Sequence, residues 1–338
     1  MGLIEAPKLW VRFNWFSPLG GRAEKGFERC GTVTKFAYNE NWKEKDRAYR
    51  NTDEELVDEL YPVISSLIRV CYPWTENGEG RPPKVTPAKA AFLIVVKERG
   101  KEITYRDLAT SDYVKELGIP EVHYTTIHKA VKRLPPSLVE ATMRIFGERV
   151  SKDGMDCVFD ATGVRIRNYK IVVRDGEKCR ERKFVNLNAA WDADEKVFHA
   201  SEVLKGKANE YPGAEDMFKR INTSIENVYG DSGYAGRGFI QTVADSGAEP
   251  VVKPQSNATP KAKGSPAWRK LVKEYQELGY EDWRDETGYG ERFPNEGQFG
   301  SLVSRFDDKA NVRSTHMAKR VVTARLAFHN FFQWLVKR

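Results

Sequence analysis

A carboxylate set directly after an apolar run constrains this chain more than any other feature of its sequence. Met155 to Arg167 reads MDCVFDATGVRIR. Cys157, Val158 and Phe159 supply the short apolar run of a buried strand, and Asp160 follows at once. Beyond Gly163, Val164 and Ile166 alternate with Arg165 and Arg167, a period of two that leaves one face wet. A lone carboxylate in a buried strand is costly unless a cation meets it. Two further acids have suggestive settings: Asp231 in VYGDSGY and Glu296 in YGERFPNEGQF. The three are read as converging on divalent metal.

The surrounding pattern gives those acids a frame. Strand signals cover 155–167, 168–174, 183–191 and 196–203, with Asp175-Gly176 as a turn between the second and third. Helices are expected over Pro212–Asn222 and Ala235–Ser246, and short strands over Glu226–Tyr229 and Ala248–Val252. Strands followed by alternating helices and strands predict an α/β fold, a mixed sheet with helices on its faces. If the strands before Asp160 and Asp231 are parallel neighbours, both acids open at one carboxyl edge, where open sheets bind ligands. Glu296 falls in the first turn of a helix from Pro294 to about Phe306, where the helix dipole favours an anion. Phe299, Leu302, Val303 and Phe306 form its expected core stripe, so Glu296 is placed facing the sheet. Three converging carboxylates cannot all stay ionised without a cation, and oxygen-only donors select magnesium or manganese over zinc. Each acid also has an ordinary explanation. Asp160 can pair with Arg165 or Arg167, Asp231 can make an Asx turn, and Glu296 can simply start a helix.

The first half of the chain reads differently. Residues 1–50 carry Trp10, Phe13, Trp15 and Phe16 among Arg and Pro, suited to packing against another part of the chain or to stacking on bases. Residues 51–150 are helical in pattern. Thr52 and Glu55 form a capping box before an amphipathic stretch to Cys71, with Leu56, Leu60, Val63, Leu67 and Ile68 on one stripe. Residues 76–84 are turn-rich. Thr86-Pro87 opens a helix that Gly100 closes, and Thr104 caps one that stops at Gly118. Thr125 then caps a short helix with Lys129, Lys132 and Arg133 outward and Ile127, Val131 and Leu134 inward. Helix, glycine turn and basic helix outline a DNA-binding helix-turn-helix; a plain helical bundle gives the same pattern. In the second half, 254–285 reads as a basic loop and helix inserted in the sheet region, and Thr315–Val336 as a long closing helix.

Composition narrows the function classes. With 40% hydrophobic and 30% charged residues the chain is globular rather than disordered, and 55 Lys and Arg against 48 Asp and Glu suit a polyanionic partner. None of the four cysteines sits in a C-x2-C pair, so neither structural zinc nor a disulfide framework is indicated. No apolar run is long enough to cross a membrane and no signal core opens the chain, so a cytoplasmic protein is expected. Nor is there a Gly-rich phosphate loop for nucleotide hydrolysis.

FDATGVRI around Asp160, YGDSGYAG around Asp231 and the region of Glu296 together resemble the DDE transposases of prokaryotic insertion sequences. One branch carries the signature Tyr-x2-Arg-x3-Glu-x6-Lys. Tyr289, Arg292 and Glu296 fall at those spacings, while Val303 occupies the Lys position, with Arg305 two residues on as a substitute. The resemblance covers about 155–335. It implies a ribonuclease-H-like catalytic domain over 151–338. It also implies that Asp160, Asp231 and Glu296 bind two Mg2+ ions, with Mn2+ able to substitute. The implied reaction is cleavage at transposon ends followed by strand transfer into target DNA, by a homodimer formed on double-stranded DNA in the nucleoid. Two alternatives share these residues: a ribonuclease-H-like nuclease without strand transfer, and a domesticated, inactive DNA-binding protein. Tyr289 and Arg292 would handle the DNA backbone; their ordinary roles are a core-edge aromatic and an ion pair with Asp285 or Glu291. Lys253, after a strand, would lie near the same edge, and with Lys261, Lys263, Arg269 and Lys270 would track phosphates or form a solvated basic loop.

Overall fold

The computed structural model describes residues 55–71, 83–101, 103–174, 177–206, 211–290 and 297–338. Its centre is β1 (Met155–Arg174), which runs unbroken through the two segments the sequence pattern separates. Pairing with antiparallel β2 (Glu177–Asp192) persists from Cys157↔Asp192 to Arg174↔Glu177, with a register shift between Arg165 and Tyr169. A bulge of this kind bends a strand without ending it, which is why period alone suggested a break. β3 (Phe198–Lys205) pairs antiparallel with β2. On the other side of β1, β4 (Ile225–Gly230) is parallel to it, and β5 (Glu249–Val252) is parallel to β4. The strand order is therefore β3-β2-β1-β4-β5, the ribonuclease-H-like arrangement the resemblance implies. A two-residue strand missing from the sequence pattern, β6 (Lys309–Ala310), pairs with β1 at Arg165 and Ile166, beyond the end of β4.

Helices cover both faces. On one, the Phe159 ring meets Phe218 of α7 (Tyr211–Phe218), Tyr234, and Phe239 of α8 (Arg237–Asp245), the last at 5.1 Å. On the other, Trp191 meets Phe299 of α10 (Gly297–Phe306) at 5.1 Å. The last helix, α11 (Thr315–Lys337), packs with α6 (Pro136–Glu148) over β3. Asn330, fully buried, welds these three elements. Its amide N–H groups donate to the carbonyls of Met143 and Phe198, and its oxygen accepts from the Phe198 N–H. The approach demands a glycine on α6, because a Cβ at Gly147 would stand 2.7 Å from the Phe198 carbonyl oxygen.

Upstream, a π-helical turn (Leu56–Leu60) leads into α1 (Tyr61–Cys71), whose core line passes through Ile64 rather than Val63. The capping role expected of Thr52 lies outside the described residues. Helix α2 (Pro87–Lys97) starts as expected, Thr86 accepting from the Lys89 N–H. The single helix expected after Thr104 is two, α3 (Tyr105–Thr110) and α4 (Asp112–Glu116), parted at Ser111, whose extended backbone ends the first and caps the second. The basic helix α5 (Tyr124–Arg133) begins two residues early, with His123 rather than Thr125 at its cap, because Tyr124 packs under Arg106 and beside His123. Downstream, α9 (Pro266–Glu286) extends past Leu278 through a kink at Gly279, where φ is 78°.

The α2 end is tied to α11. Arg325 donates to the Glu98 carboxylate at 2.9 Å and to the carbonyls of Asp307 and Lys309 at 3.0 and 2.7 Å. Lys97 holds Glu98 from the other side at 2.6 Å. One buried guanidinium thus joins the upstream helices, the end of α10 and β6.

Candidate active site at the carboxyl edge

The register across three strands builds the site. Phe159 pairs with Gly230 and Gly230 with Val252. The next residues on these strands are Asp160, Asp231 and Lys253. Parallel neighbours lie ~4.8 Å apart with side chains in step, so two carboxylates and an ammonium stem leave the same edge side by side. Asp231 keeps an extended backbone (φ −79°, ψ −177°), so it continues the strand direction before the chain turns. Gly230 permits that turn: a Cβ there would sit 3.2 Å from the Cβ of Tyr234. Lys253 extends the ladder, its N–H donating to the Gly230 carbonyl.

Both carboxylates are half-buried and anchored by backbone. Asp160 accepts from the Ala161 N–H at 2.8 Å, and Asp231 accepts from the Gly233 N–H at 2.8 Å while capping a 3-10 turn over Ser232–Tyr234. The Asx turn foreseen as the ordinary role of Asp231 is therefore present, and it uses one of two carboxylate oxygens. Arg165, one suggested partner of Asp160, pairs with Asp308 instead. Lys253 places its ammonium 4.5 Å above the Tyr280 ring.

The third acid, Glu296, and the signature Arg292 lie outside the described residues. The helix after them is described, and it corrects one expectation. Phe299, Leu302 and Phe306 are buried, but Val303 is 42% exposed. At 100° per residue Val303 falls on the rim of the stripe rather than in it. Tyr289 is 2% exposed, its ring 5.0 Å from that of Trp283 in the core. Arg305 lies along α10 with its guanidinium 4.2 Å over Phe332 of α11. Phe299 touches Trp191, which pairs with Val158, two residues before Asp160. Side-chain alternation puts Val158 and Asp160 on the same face, the one α10 covers.

Among the described residues, no three His, Cys, Asp or Glu side chains converge as a metal site. The two that do align, Asp160 and Asp231, offer hard oxygen donors at a carboxyl edge, which fits magnesium or manganese and not a soft ion. His199 and His329 belong to the core. Burial, partly offset by Asp192, lowers the pKa of His199 to about 4. Burial and the nearby Arg305 charge lower that of His329 to about 4.

A second cationic feature escaped the sequence pattern. A groove of about 520 Å³ between the upstream helices and the β6–α11 connection is lined by Lys97, Lys101, Lys132, Arg167 and Arg313, with Tyr105 and His128 on its wall. These residues come from four separate stretches, so only tertiary structure assembles them. Lys129 and Arg133 are exposed on the next face of α5. No helix among the described residues is long and apolar enough to cross a membrane.

The chain matches the family described as "Transposase DDE domain" over residues 152–331. No curated protein matches it. Among solved structures it is similar to a piggyBac transposase synaptic complex with hairpin DNA, at 11% identity and a TM-score of 0.35, over 83% of this chain and 71% of that one. It is also similar to a Mos1 transposase paired-end complex with the left transposon end, at 15% identity and a TM-score of 0.21, over 68% and 83% of the two chains. A third is a mariner Mos1 paired-end complex with Mg, at 11% identity and a TM-score of 0.21, over 83% and 95%.

Proposed function

The chain belongs to the transposase DDE domain family, and from that premise we propose that it cuts DNA at transposon ends and joins the freed ends to target DNA. One observation carries the assignment of the site: Asp160 and Asp231 follow directly upon paired residues of adjacent parallel strands. Glu296 completes the set. The contact of Phe299 with Trp191 supports this, since it sets the start of α10 over the face that bears Asp160. Asp160, Asp231 and Glu296 would together hold two divalent cations, Mg2+ or Mn2+. When bound, such cations polarise the attacking and leaving oxygens of an in-line phosphoryl displacement.

The chain's own residues do the rest. Backbone N–H bonds from Ala161 and Gly233 fix one oxygen of each aspartate and so the direction of the other. Lys253, at the matching position of the third strand, bears on the phosphate beside the pair. Arg292 suits a forked phosphate contact. Lys129, Lys132 and Arg133 on α5, with the groove beside them, track the duplex backbone, and residues 51–150 form the DNA-binding part upstream of a catalytic part over 151–338. A homodimer assembled on paired ends, working at the nucleoid, completes the reading.

The test uses the full chain with Mg2+ and labelled duplex DNA carrying the element's ends. Asp160→Asn, Asp231→Asn and Glu296→Gln should each abolish cleavage and strand transfer while DNA affinity survives, because the neutral isosteres remove metal charge and leave phosphate contacts. Near-normal cleavage by any one variant removes that residue from the site. Precleaved ends that never join target DNA would reduce the activity to a nuclease.

A further inference from the structure

Beyond the bulge, β1 and β2 continue as a two-stranded ribbon to Arg174↔Glu177. Its two faces differ. On one, Tyr169, Ile171 and Val173 project from β1, 49%, 71% and 66% exposed. Directly across from them on β2 stand Arg182, Arg180 and Lys178. Cross-strand partners share a face, and the Arg182 guanidinium 5.8 Å over the Tyr169 ring shows that these do. Among the described residues this face carries three cations and no acid. The other face is neutralised: Lys170 pairs with Glu181 at 3.1 Å, and Val172 stands across from Cys179.

The exposed apolar row is unfavourable in water, and the cations beside it complement a polyanion with apolar sugar and base edges. The major groove of B-DNA admits a two-stranded ribbon. We propose that this face of the β1–β2 ribbon docks on duplex DNA, its three cations on phosphates and its apolar row against the groove wall. The inference rests on the reading of the chain as a DNA-cutting enzyme, and it adds a contact which that reading does not contain. Two features of position favour it. The ribbon shares β1 with Asp160: counted on β2, which carries none of the extra residues of the bulge, Tyr169 lies roughly 23 Å and Val173 roughly 36 Å from that residue at ~3.3 Å per residue. This corresponds to on the order of 7 to 11 base pairs at ~3.4 Å each. At its base the ribbon adjoins the cationic groove, since Arg167 lines that groove and the Asn168 amide donates to the carbonyl of Arg313.

The measurement is affinity of the full chain for a labelled 40-base-pair duplex across a salt series. Lys178→Gln, Arg180→Gln and Arg182→Gln combined should weaken binding at least tenfold at low salt. The log–log salt slope should fall by about 2.7, at ~0.9 for each phosphate no longer neutralised. Lys170→Gln with Glu181→Gln, on the paired face, should leave both quantities at the wild-type value. Ile171→Ser with Val173→Ser should weaken binding with little change in slope. If the triple variant binds with wild-type affinity and slope, the ribbon inference falls while the acid-to-amide cleavage test stands untouched. If instead the triple variant changes the oligomeric state by light scattering and not DNA affinity, the face is a self-interface and the inference is wrong. A wild-type chain that neither binds nor cuts duplex DNA overturns the catalytic reading and the ribbon together.

Discussion

Replacing Arg325 by Met should show how firmly the upstream helices are fastened to the catalytic sheet. The thioether side chain roughly keeps the stem's volume and removes the guanidinium, with its bonds to Glu98 and to the carbonyls of Asp307 and Lys309. Glu98 is 4% exposed, so its charge stays buried. Breaking a buried pair by deleting one partner costs about 3–5 kcal/mol. Lys97 remains 2.6 Å from Glu98 and offsets part of that penalty, which places the expected loss near the lower end, about 3 kcal/mol. Urea unfolding of wild type, Arg325→Met, Glu98→Gln and the double variant gives the cycle. The double variant should be more stable than Arg325→Met alone, because it no longer buries an orphaned carboxylate, and the coupling should exceed about 1 kcal/mol. A loss under about 1 kcal/mol for Arg325→Met, or a coupling near zero, would mean that the pair is incidental.

Three further outcomes are expected. His199 and His329 have pKa values lowered to about 4 in the fold against ~6.5 when unfolded, so the unfolded chain binds more protons between those values. Stability is then full above pH ~6.5 and falls on acidification towards pH ~4. His329→Gln, which keeps an N–H for the Lys196 carbonyl, should flatten that fall by about one proton, ~1.4 kcal/mol per pH unit; an unchanged slope in pH-dependent urea titrations would refute it. At the broken signature, Val303 is exposed, so Val303→Lys should cost less than about 0.5 kcal/mol of stability and raise single-turnover cleavage of a labelled element end. Arg292→Ala should lower that rate at least tenfold, ~1.4 kcal/mol of barrier, and wild-type rates for both variants would make the Tyr and Arg spacing coincidental.

What the sequence revealed follows from which signals are local. Asp160 and Asp231 were legible because each interrupts or ends an apolar run. Their pairing was conditional on the strands being parallel neighbours, which only the sheet register supplies. The helix start capped by the Thr86 side chain was readable. The α5 start was not, because an aromatic and cationic contact rather than a cap sets it. Tyr289 matched a signature spacing, yet spacing carries no information about burial, and its ring lies against Trp283. The cationic groove was invisible for the opposite reason: its charges are scattered along the chain and meet only in the fold.

The length of β1 is the feature that links these observations. Pairing of β1 with β4 ends at Phe159, and the strand places Asp160 at that point. The three-stranded part of the sheet continues to Val164, opposite Val185, where β2 last pairs with β3. The strand then passes β6, which holds it at Arg165 and Ile166. From there it runs on as the ribbon. The carbonyl of Lys309 in β6 is held by Arg325, which also grips Glu98 at the end of α2. The upstream helices, the strand that carries Asp160 and the ribbon that carries Arg180 are therefore joined through a buried guanidinium and a two-residue strand, together with the packing of α2 on α11 and of α1 on α6. A duplex that touches all three would meet surfaces already fixed relative to one another. Less ordering entropy would then be lost on binding than if hinged parts had to be brought together. Packing that keeps cationic surfaces at fixed distances from two carboxylates also suits a reaction in which placement of the phosphate, rather than covalent chemistry by the protein, sets the rate.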